Sequence, residues 1–185
     1  MRAPRLLVGL PILAAASLVA VVMLLAPSAQ AAAPAADRPA WHALPLTDAR
    51  TGQSFTLADF AGKTVYLEPM ATWCTNCRQQ MGIIRDQLRG QLDPDKVVLL
   101  GLSVETDLDP ATLAQYVDAQ GFGWTFAVMT PELLKALADS YGLTITTPPA
   151  IPHLVIAPDG ATSDLKTGLH TADQLLQELT AAGGM

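Results

Sequence analysis

The chain has 185 residues, room for one ordinary domain and an appendage. Half of its residues are apolar and 15% are charged, which excludes intrinsic disorder, where low hydrophobicity accompanies high charge. Eleven basic residues stand against 17 acidic ones, and without Arg2 and Arg5 of the leader described below the balance falls to −8, which excludes a phosphate-binding surface and with it nucleic-acid binding.

Met1 to Arg5 is short and basic, and Leu6 to Ala26 then runs without a charge. Pro27-Ser28 and the small-residue pattern Ala29-Gln30-Ala31 follow. A basic start, an apolar stretch and small residues before a cut describe a secretory signal ending at residue 31. The stretch is also close to the ~20 residues that cross a bilayer as a helix. Residues 1–31 are therefore read as a signal peptide or a retained membrane anchor, and the remainder as extracytoplasmic. Residues 32–42 are rich in Ala and Pro and read as a linker. Residues 43–185 form the domain.

Short strands are expected at Leu44–Thr47 and Ser54–Leu57, around the Ala49-Arg50-Thr51-Gly52 turn. Thr64–Leu67 reads as a buried strand. Thr75–Leu92 reads as a helix, with Met81, Ile84, Leu88 and Leu92 on one face. Val97–Val104 is an unbroken apolar run typical of a strand covered on both faces. Asp109-Pro110 is an N-cap followed by proline at the first helical position, and Gly121 ends that helix. Trp124–Met129 is a strand. Thr130-Pro131 opens a helix that stops at Gly142. His153–Ala157 is a strand, and Ser163–Thr167 is its expected hairpin partner. Thr171 and Gln174 form a capping box for the last helix. Strands alternating with helices imply an α/β fold built on a mainly parallel sheet, with an antiparallel edge from the terminal hairpin.

The only two cysteines lie in Trp73-Cys74-Thr75-Asn76-Cys77, between a predicted strand and a predicted helix. Two cysteines cannot make a structural zinc site alone, nor a scaffold stapled by several disulfides. At a helix N-terminus, backbone N–H groups and the dipole stabilise a thiolate. Cys74 is thus expected to be the exposed nucleophile and Cys77 the shielded thiol that resolves a mixed disulfide. An inert structural disulfide is the plainer reading, but a ring this small closes little chain entropy.

With these residues the chain resembles the thioredoxin superfamily, and within it exported thiol–disulfide oxidoreductases of the TlpA/ResA type. The resemblance rests on Phe60 to Leu67, Ala71-Thr72-Trp73-Cys74 with Cys77, Val98 to Val104, Tyr141-Gly142-Leu143, and Ile151-Pro152 before Leu154-Val155-Ile156. It implies a thioredoxin-like fold, a central mixed sheet flanked by helices on both faces, with an N-terminal strand extension. It also implies a cis peptide bond at Pro152, facing the disulfide and offering the Ile151 backbone to an incoming peptide as an added strand. Trp73 packs beside the disulfide in relatives. Glu68, six residues before Cys74, stands where thioredoxins carry a buried Asp. If buried, its carboxyl has a raised pKa and takes the proton of Cys77 when that thiol attacks. Pro69 directly after it is poorly suited to a central strand, so the strand is expected to bulge or end there.

His153, after Pro152, is expected near the sulfurs. There it would belong to the substrate-binding group with Trp73, Ile151 and Pro152, or join Cys74, Cys77 and Met70 as a copper ligand in an alternative carrier or chaperone function. His42 and His170 are read as solvent-facing. A peroxiredoxin would have Thr three residues before the reactive cysteine, where this chain has Ala71. Thr75-Asn76 is uncharged and lacks the histidine of strong oxidants. A moderately reducing potential is expected, roughly −270 to −200 mV. The resulting expectation is a monomeric protein-disulfide reductase without a cofactor. It would act on protein thiols and be recharged by a membrane electron donor of the DsbD/CcdA kind, in cytochrome c or copper-oxidase maturation.

Overall fold

The computed structural model describes residues 38–184. The signal or anchor expected over residues 1–31, and most of the linker, lie outside the described residues. Ala40–Ala43 forms a 3₁₀ turn that buries Trp41 and His42, with the indole 6.4 Å from the Tyr141 ring. An indole brings enough apolar surface to hold this segment on the core. His42 is therefore not solvent-facing, and burial, together with the charge of Arg38, pushes its pKa down to about 4.

β1 (Leu46–Thr47) and β2 (Ser54–Phe55) form an antiparallel ribbon. The Asp48 carboxylate closes its turn by accepting the Arg50 and Thr51 N–H groups at 2.9 and 2.8 Å. The main sheet contains β3 (Thr64–Met70), β4 (Val97–Ser103), β5 (Thr125–Val128) and β6 (Leu154–Ile156) in the order β5-β4-β3-β6. β3, β4 and β5 are parallel, and β6 runs antiparallel to β3. All seven residues of β3 are buried, because helices cover both faces.

Between the strands lie α1 (Thr75–Ile83), α2 (Pro110–Ala119), α3 (Pro131–Tyr141) and, after β6, α4 (Ala172–Ala181). Their N-termini use the caps legible in the sequence. Asp109 accepts from Ala111 N–H at 3.1 Å, Thr130 from Leu133 N–H at 3.2 Å, and Thr171 and Gln174 bond reciprocally. α1 continues through a π-helical turn at Ile84–Leu88 and a 3₁₀ turn at Arg89–Gln91.

Alternation along the strands divides the core. Val65, Leu67, Leu100, Leu102 and Leu154 face α3 and the N-terminal segment. Tyr66, Leu99 and Val155 face α1 and α4. Met70 and Phe126 on that second face meet Cys77, Met81 and α2. Gly101 is opposite Phe126, and a Cβ there would lie 2.2 Å from the ring. The missing side chain is what lets the ring lie across β4.

Two expectations about the sheet need correction. β3 does not end at Glu68 but runs on to Met70, through Pro69. β6 pairs only with Val65 to Leu67, so at Pro69 the strand is bonded to β4 alone. Proline is tolerated on such a half-paired stretch because no neighbour on the open side needs its N–H. The hairpin at Ser163–Thr167 is reduced to isolated bridges, His153 with Lys166 and Ile156 with Thr162. Between them the Ser163 hydroxyl, rather than a backbone carbonyl, accepts the Val155 N–H at 2.9 Å, which interrupts the ladder.

Candidate active site

β3 delivers the chain to Ala71–Trp73, and α1 starts at once. Cys74 is its N-cap. Its own N–H donates to the Ala71 carbonyl at 3.0 Å, and its Sγ accepts the Cys77 N–H at 3.1 Å. A free N–H of the first helical turn is thus aimed at the leading sulfur, as a thiolate there needs. Cys74 and Cys77 are joined in a disulfide, with their Cα atoms 5.4 Å apart.

Glu105, just beyond β4, clamps the turn before the disulfide. Its carboxylate accepts the Thr72 N–H at 2.6 Å and the Thr72 hydroxyl at 3.1 Å. The loop between α3 and β6 covers the other side with 3₁₀ turns at Leu143–Thr146 and Pro148–Ala150. Asn76 Nδ2 donates to the Pro149 carbonyl at 2.9 Å, and the Pro148 carbonyl lies 3.2 Å from Cys77 Sγ. Once reduced, the Cys77 thiol can donate to that carbonyl. Asn76, Pro148 and Glu105 were missed as site residues, although Asn76 lies inside the cysteine motif.

Cys74 was expected to be exposed. With the disulfide closed it is only 2% exposed, packed with Met70, Ala71 and Cys77, while Trp73 beside it is 61% exposed. The cause is local. The ring turns both sulfurs inward, and the Pro148–Ala150 turn is pinned to α1 by Asn76.

The expected cis bond is absent. Every peptide bond among the described residues is trans, Ile151–Pro152 included. The chain turns instead through Ile151, whose φ of 51° and ψ of 58° place a β-branched residue in the left-handed region. Its N–H does not await a peptide. It donates to the Pro148 carbonyl at 2.8 Å, and Ile151 and Pro152 are both buried. The exposed residue on this loop's inner turn is Pro149.

His153 is also not where it was expected. Cys74, Cys77 and His153 do not converge closely enough to share an ion, and the His153 nitrogens lie with His170 and Glu178. His153 Nε2 is 2.9 Å from Glu178 Oε2, its ring stands 5.2 Å from the Tyr66 ring, and it is fully buried. Burial lowers its pKa, and Glu178 opposes part of that shift. His170 is half-buried against the same carboxylate rather than solvent-facing.

Glu68 lies between Tyr66 and Met70 on the face of β3 turned toward α1, and it is buried. The Tyr66 hydroxyl donates to Oε2 at 2.9 Å, while Oε1 has no partner. Burial pushes the carboxyl up to about 8, offset in part by the tyrosine. The same surroundings raise the Tyr66 pKa, through burial and then the Glu68 charge. Burial thus favours the protonated form of Glu68, and Met70, two residues on along the same face, packs with the cysteines. Tyr66 was not anticipated, though its position two residues before Glu68 puts both on one face.

Residues 31–162 match the AhpC/TSA family, more than half of the chain. Among solved structures, the chain is similar to a thiol:disulfide interchange protein of the thioredoxin family from Chlorobium tepidum TLS, with 20% identity and a TM-score of 0.62 over 75% of this chain and 92% of that one. It is similar to a secreted Mycobacterium tuberculosis disulfide oxidoreductase homologous to E. coli DsbE, with 17% identity and a TM-score of 0.53 over 75% and 95%. It is also similar to the exposed lipoprotein thioredoxin Etrx1 from Streptococcus pneumoniae strain TIGR4, with 21% identity and a TM-score of 0.55 over 75% and 98%. At such identities the likeness establishes the thioredoxin-like fold. A disulfide closed across Cys74 and Cys77 at the first turn of α1 in this fold is the working group of a thiol–disulfide oxidoreductase. By the match across residues 31–162 and the fold that carries it, the chain belongs to the AhpC/TSA family of thioredoxin-like proteins.

Proposed function

We propose that the chain is an extracytoplasmic protein-disulfide reductase, and the observation that carries this is the Cys77 N–H aimed at Cys74 Sγ across a closed disulfide. In the reduced protein the Cys74 thiolate attacks one sulfur of a partner disulfide. The new Cys74–partner bond forms as the partner's S–S bond breaks, and the leaving sulfur takes a proton. Cys77, having lost its proton, then attacks Cys74 Sγ. The Cys74–Cys77 disulfide closes, the second partner thiol departs, and two electrons have passed to the partner.

Glu68 serves both directions of this cycle. Protonated, it supplies the proton that Cys77 needs when the internal disulfide is reduced. Ionised, it receives that proton when Cys77 attacks. The buried carboxyl poised at about 8 supports this role. Access to Cys74 requires the Pro148–Ala150 turn to shift, breaking the Asn76–Pro149 bond. The docking surface is then Trp73 and Pro149, with the Ile151–Pro152 backbone beneath them as the support of that turn.

The export pattern of residues 1–31 supports an extracytoplasmic site, as does the likeness to a secreted disulfide oxidoreductase and to an exposed lipoprotein thioredoxin. A reductase there needs recharging, and a membrane donor of the DsbD/CcdA kind fits a monomeric dithiol carrier. Haem-binding cysteines of apocytochrome c and copper-site cysteines of oxidase subunits are substrates of suitable chemistry. Uncharged Thr75 and Asn76 between the cysteines favour the reducing direction.

Insulin reduction in the presence of dithiothreitol tests the activity. Turnover should occur with the native chain and vanish in Cys74→Ser. Equilibration with glutathione tests the direction. A chain that becomes reduced only as the glutathione couple reaches roughly −270 to −200 mV fits the reading, whereas one already reduced by a mildly oxidising couple overturns it.

A further inference from the structure

Away from the disulfide, three side chains from three separate elements converge. His153 precedes β6, His170 precedes the N-cap of α4, and Glu178 lies inside α4. Glu178 stands between the two imidazoles, with Oε2 2.9 Å from His153 Nε2 and Oε1 3.0 Å from His170 Nδ1. One donor atom from each residue lies within 4.8 Å of the other two. The rings stand edge to face, with centroids 4.6 Å apart.

We propose that His153, His170 and Glu178 form a binding site for a divalent transition ion of the zinc type. Nitrogen and carboxylate donors at about 2.0–2.2 Å from zinc are separated from one another by roughly 3.3 Å in a tetrahedron, and the two nitrogen–oxygen spacings of 2.9 and 3.0 Å are already of that size. Two imidazoles and one carboxylate are a known zinc ligand set that leaves a fourth position open to water. The site is built rather than accidental. His153 is fully buried, with its Nε2 turned to Glu178. His170 Nε2 is 3.4 Å from the Thr167 carbonyl, an acceptor placed to orient the ring once Nδ1 carries the ion. The His170 backbone is fixed as well. Its N–H donates to Gln80 Oε1 at 2.7 Å, and Gln80 Nε2 donates to its carbonyl at 3.1 Å. A cavity of about 380 Å³, lined by Ser163, Lys166 and Glu178, opens the carboxylate to solvent. Lys166 also lines it.

The bound ion joins α4 to β6. Through Gln80 it also steadies α1 three residues beyond Cys77. The site is independent of the disulfide chemistry.

The test is titration calorimetry of the oxidised, tag-free chain with zinc chloride, in which both sulfurs are committed to the disulfide. One ion should bind per chain and raise the melting temperature. Cobalt(II) should give visible d–d bands without thiolate charge-transfer absorption. Glu178→Gln keeps the hydrogen bonding and should weaken zinc binding by about tenfold or more, as should His170→Ala. Both variants should keep the native circular dichroism and insulin turnover, because neither residue touches the sulfurs. The proposal is overturned if the folded oxidised chain binds no zinc. It is equally overturned if binding persists unchanged in both variants or the cobalt complex shows thiolate absorption.

Discussion

Replacing Glu68 by Gln isolates the buried carboxyl. The amide has nearly the same shape, and its oxygen can accept from Tyr66 as Glu68 Oε2 does at 2.9 Å. The folded carboxyl is held at about 8, against 4.5 when free in water. Between these values the folded chain binds one proton more than the unfolded chain, so wild-type stability falls as pH rises through this window. At about 1.4 kcal/mol per pH unit, the loss is roughly 3 kcal/mol by pH 7 and about 4 kcal/mol by pH 8, where the folded group is half titrated. The amide does not titrate. Glu68→Gln should therefore match the wild type near pH 4 and exceed it by those amounts at pH 7 and 8. Urea denaturation of both oxidised proteins, followed by tryptophan fluorescence, reads the difference directly. Other titrating groups, His42 among them, cancel in the comparison. The same variant should turn over insulin more slowly, with a flatter pH profile. A stability difference that stays constant from pH 5 to 8 would refute the placement of an acid in this pocket.

Asn76→Ala removes the tie to Pro149 and should release the turn over the disulfide. One hydrogen bond of about 1 kcal/mol corresponds to reduction by dithiothreitol roughly fivefold faster. Stopped-flow fluorescence checks this, and an unchanged rate would show that the turn is not the gate. Gly101→Ala places a methyl group 2.2 Å from the Phe126 ring and should cost about 1–3 kcal/mol in urea denaturation. A neutral substitution would mean that Phe126 can move aside freely.

Local chemistry made much of this legible. The helix caps at Asp109, Thr130 and Thr171 follow from residue types acting within three positions of themselves. The cysteine spacing names the reacting pair, and the strand alternation of Tyr66, Glu68 and Met70 puts a carboxyl on the cysteine face. What escaped depends on contacts distant along the chain. The burial of Cys74 comes from a turn more than seventy residues later, bonded through Asn76. The neighbours of His153 come from α4, and no local pattern announces Glu178 as its partner. Pro69 could be placed inside β3 only by knowing that β6 pairs no further than Leu67. At Ile151 the left-handed backbone does the turning that a cis bond was expected to do, and no spacing of residues distinguishes the two.

The central claim is that Cys74 captures a partner sulfur and Cys77 releases it. Reduced Cys77→Ser protein should be mixed with a disulfide-bonded peptide and its intact mass measured, followed by peptide mapping. The account predicts a stable adduct of one half-peptide on Cys74, released by dithiothreitol and absent from Cys74→Ser. A folded Cys77→Ser chain that forms no adduct would contradict it.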